Sequence, residues 1–285
     1  MPFPAAARAA LADLGVTAPW ASTTLAGGSI NQVLLIESQN RARAVLKLNP
    51  AAPTDFFARE AEGLHLLRSA PDGPRTPEPL AWGPDFLILE HFAPEPRVAT
   101  AAADLGLALA RLHACVGQAF GGVPDNYLGS APQPNPATED GHRFFVEQRL
   151  GVQLRRAREA GLLTERDVRA GEGLCRRLRA LVPVQPPSIV HGDLWTGNLI
   201  AGPGGALCVI DPAAHYGWAE ADLALTTLFG SLPEAFYAAY QSVRPLAPGW
   251  RDRFAIYNLY HLLNHLNLFG LGYRADVRAC LDRFA

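Results

Sequence analysis

The segment His191-Gly-Asp-Leu-Trp-Thr-Gly-Asn198 constrains the fold of this chain more than any other stretch. After it come Leu199-Ile-Ala, a Gly-Pro-Gly-Gly turn, the apolar run Leu207–Ile210 and then Asp211. Two short runs about a glycine turn, Asn198–Ala201 and Leu207–Ile210, predict a hairpin. Such a hairpin starts at one polar side chain, Asn198, and returns a carboxylate, Asp211, to the same end. Asp193 lies five residues before Asn198. Phosphoryl transfer needs a carboxylate that accepts or orients the attacking hydroxyl, and oxygen ligands that hold magnesium on the phosphates. Asp193 is the candidate base. Asn198 and Asp211 are candidate magnesium ligands, because Mg2+ takes few protein oxygens and keeps several waters. The plainer reading of His-Gly-Asp is a turn whose Asp and Asn only cap backbone groups. Asn198 and Asp211 at these offsets outweigh it.

Lys47 is the only lysine among the 25 Lys and Arg residues, and it lies in the apolar run Ala44–Leu48. That run reads as a strand. Thr54–Arg68 reads as a helix capped by Thr54 or Asp55, with Phe57, Ala61, Leu64 and Leu67 on one face. Protein kinases combine an H-x-D-x-x-x-x-N loop and an Asp closing the next hairpin with a strand lysine and a helix glutamate. Here His191, Asp193, Asn198, Asp211 and Lys47 match that pattern. Glu60, beside the apolar helix face, is the expected partner of Lys47, with Glu62 as its rival. A solvated surface charge is the plainer alternative for Glu60. A compact ammonium is not replaceable by a planar guanidinium in such a slot, which accounts for one lysine in a chain otherwise built with arginine. Gly27-Gly28-Ser29 is a candidate phosphate loop acting through backbone N–H groups. Glu90 to Phe92 is the candidate adenine hinge, with backbone groups of His91 and Phe92 facing the base and Leu89 and Ile210 as walls. Gly192 stands where protein kinases carry arginine, and Asp211-Pro-Ala213 where they carry Asp-Phe-Gly. Control by a phosphorylated activation loop is therefore not expected.

The 285 residues divide into a strand-rich first part and a mainly helical remainder. We expect an α+β, bilobal, protein-kinase-like fold: a nucleotide-binding lobe over 1–92, a catalytic and substrate lobe over 93–285, and a hinge at about 90–96, with the ligand cleft between lobes. Further expected elements are a strand at Asp85–Glu90 and helices over Ala99–Cys115, 142–160, 164–181 and from about Ala219 onward. The proline-rich stretches 71–84 and 131–136 read as loops. A net charge of -2 without a basic run leaves no footprint for nucleic acid. No apolar segment approaches the ~20 residues a membrane helix needs, and no secretory signal is visible at the start. Cys115, Cys175, Cys208 and Cys280 form no CxxC pair, as expected of free thiols in a cytoplasmic protein.

The chain resembles the fructosamine (ketosamine) kinase family, within the aminoglycoside-phosphotransferase-like branch of the kinase fold. The resemblance runs over nearly the whole chain. It is carried by Gly27–Asn31, Lys47 with Asn49, Phe57-x-x-Glu60-x-x-x-Leu64, Phe120-Gly-Gly122, Phe144–Leu150, His191–Asn198, Asp211–Ala224, Leu228–Gly230 and Asn264–Gly270. It implies ATP-dependent, magnesium-assisted phosphorylation of the third-carbon hydroxyl of ketosamines, on small amines or glycated proteins. The phosphorylated adduct then decomposes and frees the amine, a deglycation. Bacterial members are expected to favour ribulosamine or erythrulosamine, and a monomer is favoured. The chain departs from the family in reading Glu139-Asp-Gly-His-Arg-Phe-Phe145 without a Trp before the phenylalanines, and in carrying Ser29 where some members have Cys. Trp195, Tyr216 and Glu220 are the expected acceptor wall, with Trp195 stacking on the adduct and Glu220 facing its cationic amine. Asp222 is expected to brace the catalytic loop instead. His261 and His265 read as buried, hydrogen-bonded residues near the cleft, because no third metal ligand presents itself. A small-molecule kinase with another acceptor, or a non-catalytic nucleotide-binding module, are the alternatives.

Overall fold

The computed structural model describes residues 3–25 and 30–284. The first lobe holds helix α1 (Ala5–Asp13), strands β1 (Trp20–Thr24), β2 (Gln32–Ser38) and β3 (Arg43–Leu48), helix α2 (Phe56–Arg68), and strands β4 (Pro79–Trp82) and β5 (Phe86–Glu90). The strands form one antiparallel sheet in the order β1-β2-β3-β5-β4. Side chains alternate between the two faces of a strand. Ala44, Leu46, Phe86 and Ile88 thus pack with Ala7 and Leu11 of α1. Leu87 and Leu89 pack on the other face against Phe57, Ala61 and Leu64 of α2. Lys47 shares the α2 face.

Strand β4 lies inside the proline-rich stretch expected to be a loop. It is tolerated because β4 is a sheet edge and Pro79 is its first residue, where a missing N–H costs no ladder bond. Helix α2 starts at Phe56, later than expected, and Asp55 does not cap it with its side chain. The Asp55 carboxylate instead accepts from Tyr127 Oη at 2.7 Å and from Arg59.

The second lobe contains α3 (Ala101–Ala114), the hairpin β6 (Asn126–Leu128) and β7 (Ala131–Gln133), then α4 (Gly141–Phe144), which runs through a π-helical stretch, Phe145–Leu150, into α5 (Gly151–Glu159). The hairpin falls across the second proline-rich stretch, with Pro132 opposite Tyr127 at its outer edge. Next come α6 (Glu165–Leu181), β8 (Ser188–Val190), the hairpin β9 (Leu199–Ala201) and β10 (Leu207–Val209), and β11 (His215–Gly217), which pairs with β8. Helices α7 (Ala219–Leu225), α8 (Glu234–Val243), α9 (Trp250–Phe269) and α10 (Arg274–Asp282) complete it. Asp140 caps α4 by accepting from the backbones of His142 and Arg143, and Thr164 with Asp167 forms a capping box on α6. The helical core centres on α3, α7, α8 and α9, with Leu109, Leu223, Phe236, Tyr240 and Leu263 fully buried. Among the described residues no helix is long and apolar enough to cross a membrane.

Candidate active site

The pleat of β3 sends Lys47 under α2. Its Nζ lies 2.6 Å from Glu60 Oε1 and 2.6 Å from Asp211 Oδ1. Lys47 is only 3% exposed. Burial alone would lower the ammonium pKa, but Asp211 and Glu60 outweigh it and hold the pKa above its ordinary value. Glu62 turns outward to Arg59 at 2.6 Å. Asp211 adopts φ 57°, a left-handed conformation that Asp tolerates better than most residues. The turn after β10 thereby swings its carboxylate onto the lysine.

The loop His191–Asn198 hangs from Asp222, on α7. Its carboxylate accepts from the backbone N–H of His191 at 2.6 Å and of Gly192 at 2.9 Å, and faces His113 Nε2 at 3.2 Å. This is the bracing expected of Asp222. His191 Nε2 donates to the Ile210 carbonyl at 3.0 Å, while its Nδ1 accepts from the Asp193 N–H at 3.2 Å. That pairing requires a neutral ring, and burial lowers its pKa accordingly. Gly192 has φ 78°, and a Cβ there would run into the Ala213 carbonyl oxygen. The position that protein kinases give to arginine has no room for a side chain here.

Asn198 Nδ2 donates to the Asp193 carbonyl at 2.8 Å and to Asp193 Oδ2 at 3.0 Å. Desolvation, reinforced by the Asp211 and Asp222 charges against the Asn198 hydrogen bond, raises the Asp193 carboxyl to about 7. Its side chain keeps 23% exposure, so one face remains open to an acceptor. Among the described residues Asn198 Oδ1 and Asp211 Oδ2 have no partner. These two free oxygens are hard donors of the kind magnesium takes, so the residues present fit that ion.

The remaining expected positions separate. Trp195 is half-buried, meets Phe229 edge-on at 5.9 Å, and lies across Gly197. Tyr216 is half-buried on β11. Its ring packs on Gly117 and Gly122, whereas the neighbouring His215 points to the opposite face of β11. Glu220 does not face the cleft. It is 2% exposed, forms a two-pronged ion pair with Arg253 at 2.6 and 2.7 Å, and accepts from Tyr257 Oη at 2.9 Å. A carboxylate this close to the helix core is satisfied by its own arginine. Phe92 buries its ring under the Arg75 guanidinium, 5.0 Å from the ring centre. Among the described residues no hydrogen bond engages the backbone of His91 or Phe92. The backbone of Glu90 stays in the sheet, opposite Ala44. Gly27, Gly28 and Ser29 lie outside the described residues.

His261 and His265 do not form a metal pair: His265 Nδ1 donates to the His261 carbonyl at 2.9 Å. Among the described residues no group of three or more His, Cys, Asp or Glu gathers as a metal site. His261 Nδ1 is buried without a hydrogen-bond partner, 4.0 Å from Asp193 Oδ1. An orphaned buried polar atom costs about 1–3 kcal/mol.

A further support was not foreseen. Asn126 Nδ2 donates to the Ala214 carbonyl at 2.9 Å and Gln133 Nε2 to the Ala213 carbonyl at 3.2 Å. The β6–β7 hairpin thus holds the chain just beyond Asp211. Behind it, buried Arg149 donates to Asn135 Oδ1 at 2.6 Å and to the Pro134 carbonyl at 2.7 Å, with its guanidinium over Phe144. Burial lowers the Arg149 pKa to about 10. The cue lay in three amides, Asn126, Gln133 and Asn135, set in an otherwise proline-rich loop.

The fructosamine kinase family model matches residues 6–285. A Synechocystis protein that carries the name probable ketoamine kinase is 39% identical over 91% of this chain and 88% of its own length. The crystal structure of a Thermobifida fusca protein named as a fructosamine-3-kinase superposes with a TM-score of 0.85 at 35% identity, covering 93% of this chain and 92% of that one. An ADP-bound aminoglycoside phosphotransferase shares the fold at a TM-score of 0.63 and 15% identity, over 96% of both chains. The chain belongs to the fructosamine kinase family and is an ATP-dependent phosphotransferase of bilobal, protein-kinase-like α+β fold.

Proposed function

We propose that this enzyme phosphorylates the 3-hydroxyl of ketosamines, the fructosamine, ribulosamine or erythrulosamine adducts of small amines or protein lysines, and so serves in deglycation. The family match along the chain carries the acceptor class. The phosphoryl-transfer machinery rests on Lys47, held between Glu60 and Asp211 beside Asp193 and Asn198. We assign residues 1–92 to nucleotide binding and 93–285 to catalysis and acceptor binding, joined by a hinge at about 90–96. Lys47 neutralises the α/β-phosphates, with Glu60 fixing its direction. Gly27, Gly28 and Ser29 cover the phosphates, and the free backbone groups at His91 and Phe92, next to Glu90, take adenine. Magnesium, held by Asn198 and Asp211, supplies charge neutralisation on the phosphates. Asp193 accepts the proton of the acceptor hydroxyl as its oxygen bonds to the γ-phosphorus and ADP departs. Trp195, three positions before Asn198, offers the adduct a stacking face. The enzyme acts as a cytoplasmic monomer in this reading.

ADP release by the purified protein with Mg-ATP tests it. The panel is ribuloselysine, fructoselysine, choline, homoserine and an aminoglycoside, with Asp193→Asn as the blank. Turnover on a ketosamine, lost in Asp193→Asn, is expected. Turnover confined to choline, homoserine or the aminoglycoside would sink the ketosamine reading and leave the kinase.

A further inference from the structure

His261 sits in the middle of α9 with only 5% of its surface exposed. Its Nδ1 has no hydrogen-bond partner and lies 4.0 Å from Asp193 Oδ1. The other oxygen of that carboxylate already accepts from Asn198 Nδ2 at 3.0 Å. The helix is pinned at this level: Asn258 Nδ2 donates to the Ala224 carbonyl at 3.0 Å, and His265 Nδ1 to the His261 carbonyl at 2.9 Å. The imidazole therefore does not reach Asp193 by drift of α9. Burial, with His265 and Arg149 adding to it, lowers the ring pKa to about 3, so it carries one N–H and no charge at working pH. Buried polar atoms without partners are rare and need an explanation.

We propose that His261 is a positioning residue for Asp193, donating its Nδ1–H to Asp193 Oδ1 once nucleotide and acceptor close the site. Asn198 and His261 then hold the two carboxylate oxygens from two sides. Closing the 4.0 Å gap to a normal hydrogen bond of ~2.9 Å takes about 1 Å of carboxylate movement. Each oxygen keeps a further lone pair, so Asp193 still receives the acceptor proton. A carboxylate fixed at both oxygens presents that lone pair in one direction, which is what orientation contributes to catalysis. The inference rests on the reading of Asp193 as the base.

The test compares His261→Leu, which removes the donor, with His261→Asn, whose amide nitrogen takes the place of Nδ1. Turnover of ribuloselysine is read with the KM for ATP and the melting temperature. His261→Leu is expected to lower kcat by ~10–100-fold, within what a general base contributes. Its KM for ATP should stay within about twofold of wild type, since nucleotide binding does not need an oriented Asp193. His261→Asn should recover kcat to within about threefold of wild type. Wild-type kcat in the leucine variant would overturn the proposal, as would equal loss in both variants, the signature of packing. The wild-type protein gives an independent reading through 15N-histidine NMR with Mg-ADP and ribuloselysine added. A proton on Nδ1 of His261 supports the proposal and a proton on Nε2 alone overturns it. That reading also decides the matter if the leucine variant does not fold; if wild type turns over choline, homoserine or the aminoglycoside instead, that acceptor replaces ribuloselysine in both measurements, and only the acceptor assignment fails.

Discussion

Lys47 Nζ and Asp211 Oδ1 meet at 2.6 Å although 164 positions separate them in the chain. One comes from the sheet of the first lobe, the other from the end of a hairpin in the second. The contact spans the cleft, and Glu60 completes it from α2. With nucleotide bound, Lys47 would meet the phosphates and Asp211, with Asn198, would hold a magnesium ion that neutralises their charge.

The Lys47 slot fits a compact charge between two carboxylates at 2.6 Å each. Lys47→Arg is therefore expected to fail nearly as badly as Lys47→Met, with kcat/KM for ATP down ~100-fold or more, in the range seen when one preorganised charge or donor is removed. Initial-rate kinetics over ATP concentration checks it. Arginine within threefold of wild type would contradict the slot.

Gly192→Ala is expected to inactivate the enzyme. The position needs φ 78°, and a Cβ would collide with the Ala213 carbonyl oxygen. Relief of that clash must move either the Asp222-held loop or the chain after Asp211. ADP release should fall ~100-fold, as misplacement of a catalytic constellation by about 1 Å does, with a lower melting temperature in the same preparation.

The clustering of Lys47, Glu60, Asp193, Asn198 and Asp211 was legible because local geometry fixes it. Asp193 and Asn198, five positions apart, share one loop, and a short hairpin returns Asp211 to its start. Lys47 stood out as the only lysine, and strand alternation chose its face. The surroundings of Glu220 and Tyr216 were not legible. Glu220 has the charge to meet a cationic amine, but Arg253, 33 positions away, claims it. Tyr216 lies on a strand too short for its facing to be read from the sequence. The edge strands β4 and β7 were hidden by proline, which an edge tolerates and a central strand does not. The support of Ala213 and Ala214 by the β6–β7 hairpin depends on contacts 80 to 88 positions apart, for which no local pattern exists.

Glu220 is accordingly a stability residue. Glu220→Ala leaves Arg253 buried and unpaired, which should cost about 3–5 kcal/mol in urea unfolding. The KM for the acceptor should be unchanged in whatever protein remains folded. A raised acceptor KM with unchanged stability would restore Glu220 to the substrate wall.

Asp193 gives a pH-dependent prediction. Its carboxyl is raised from 3.8 to about 7, chiefly by desolvation. A raised acid favours the folded state fully below its unfolded value, and that contribution is lost as pH rises to the folded value. In metal-free buffer, Asp193→Asn should therefore melt with wild type near pH 4 and above it by a margin that grows up to about pH 7. Melting curves from pH 4 to 8 check this, and a margin independent of pH would contradict the desolvated carboxylate.

Phosphorus NMR of a reaction containing the purified protein, Mg-ATP and ribuloselysine tests the central claim most directly. The account predicts a new phosphomonoester signal split by the single proton on the third carbon, followed by release of free lysine as the adduct decomposes. Asp193→Asn should give neither. A phosphomonoester at another carbon, or ATP left unconsumed beside intact ribuloselysine, would contradict the account.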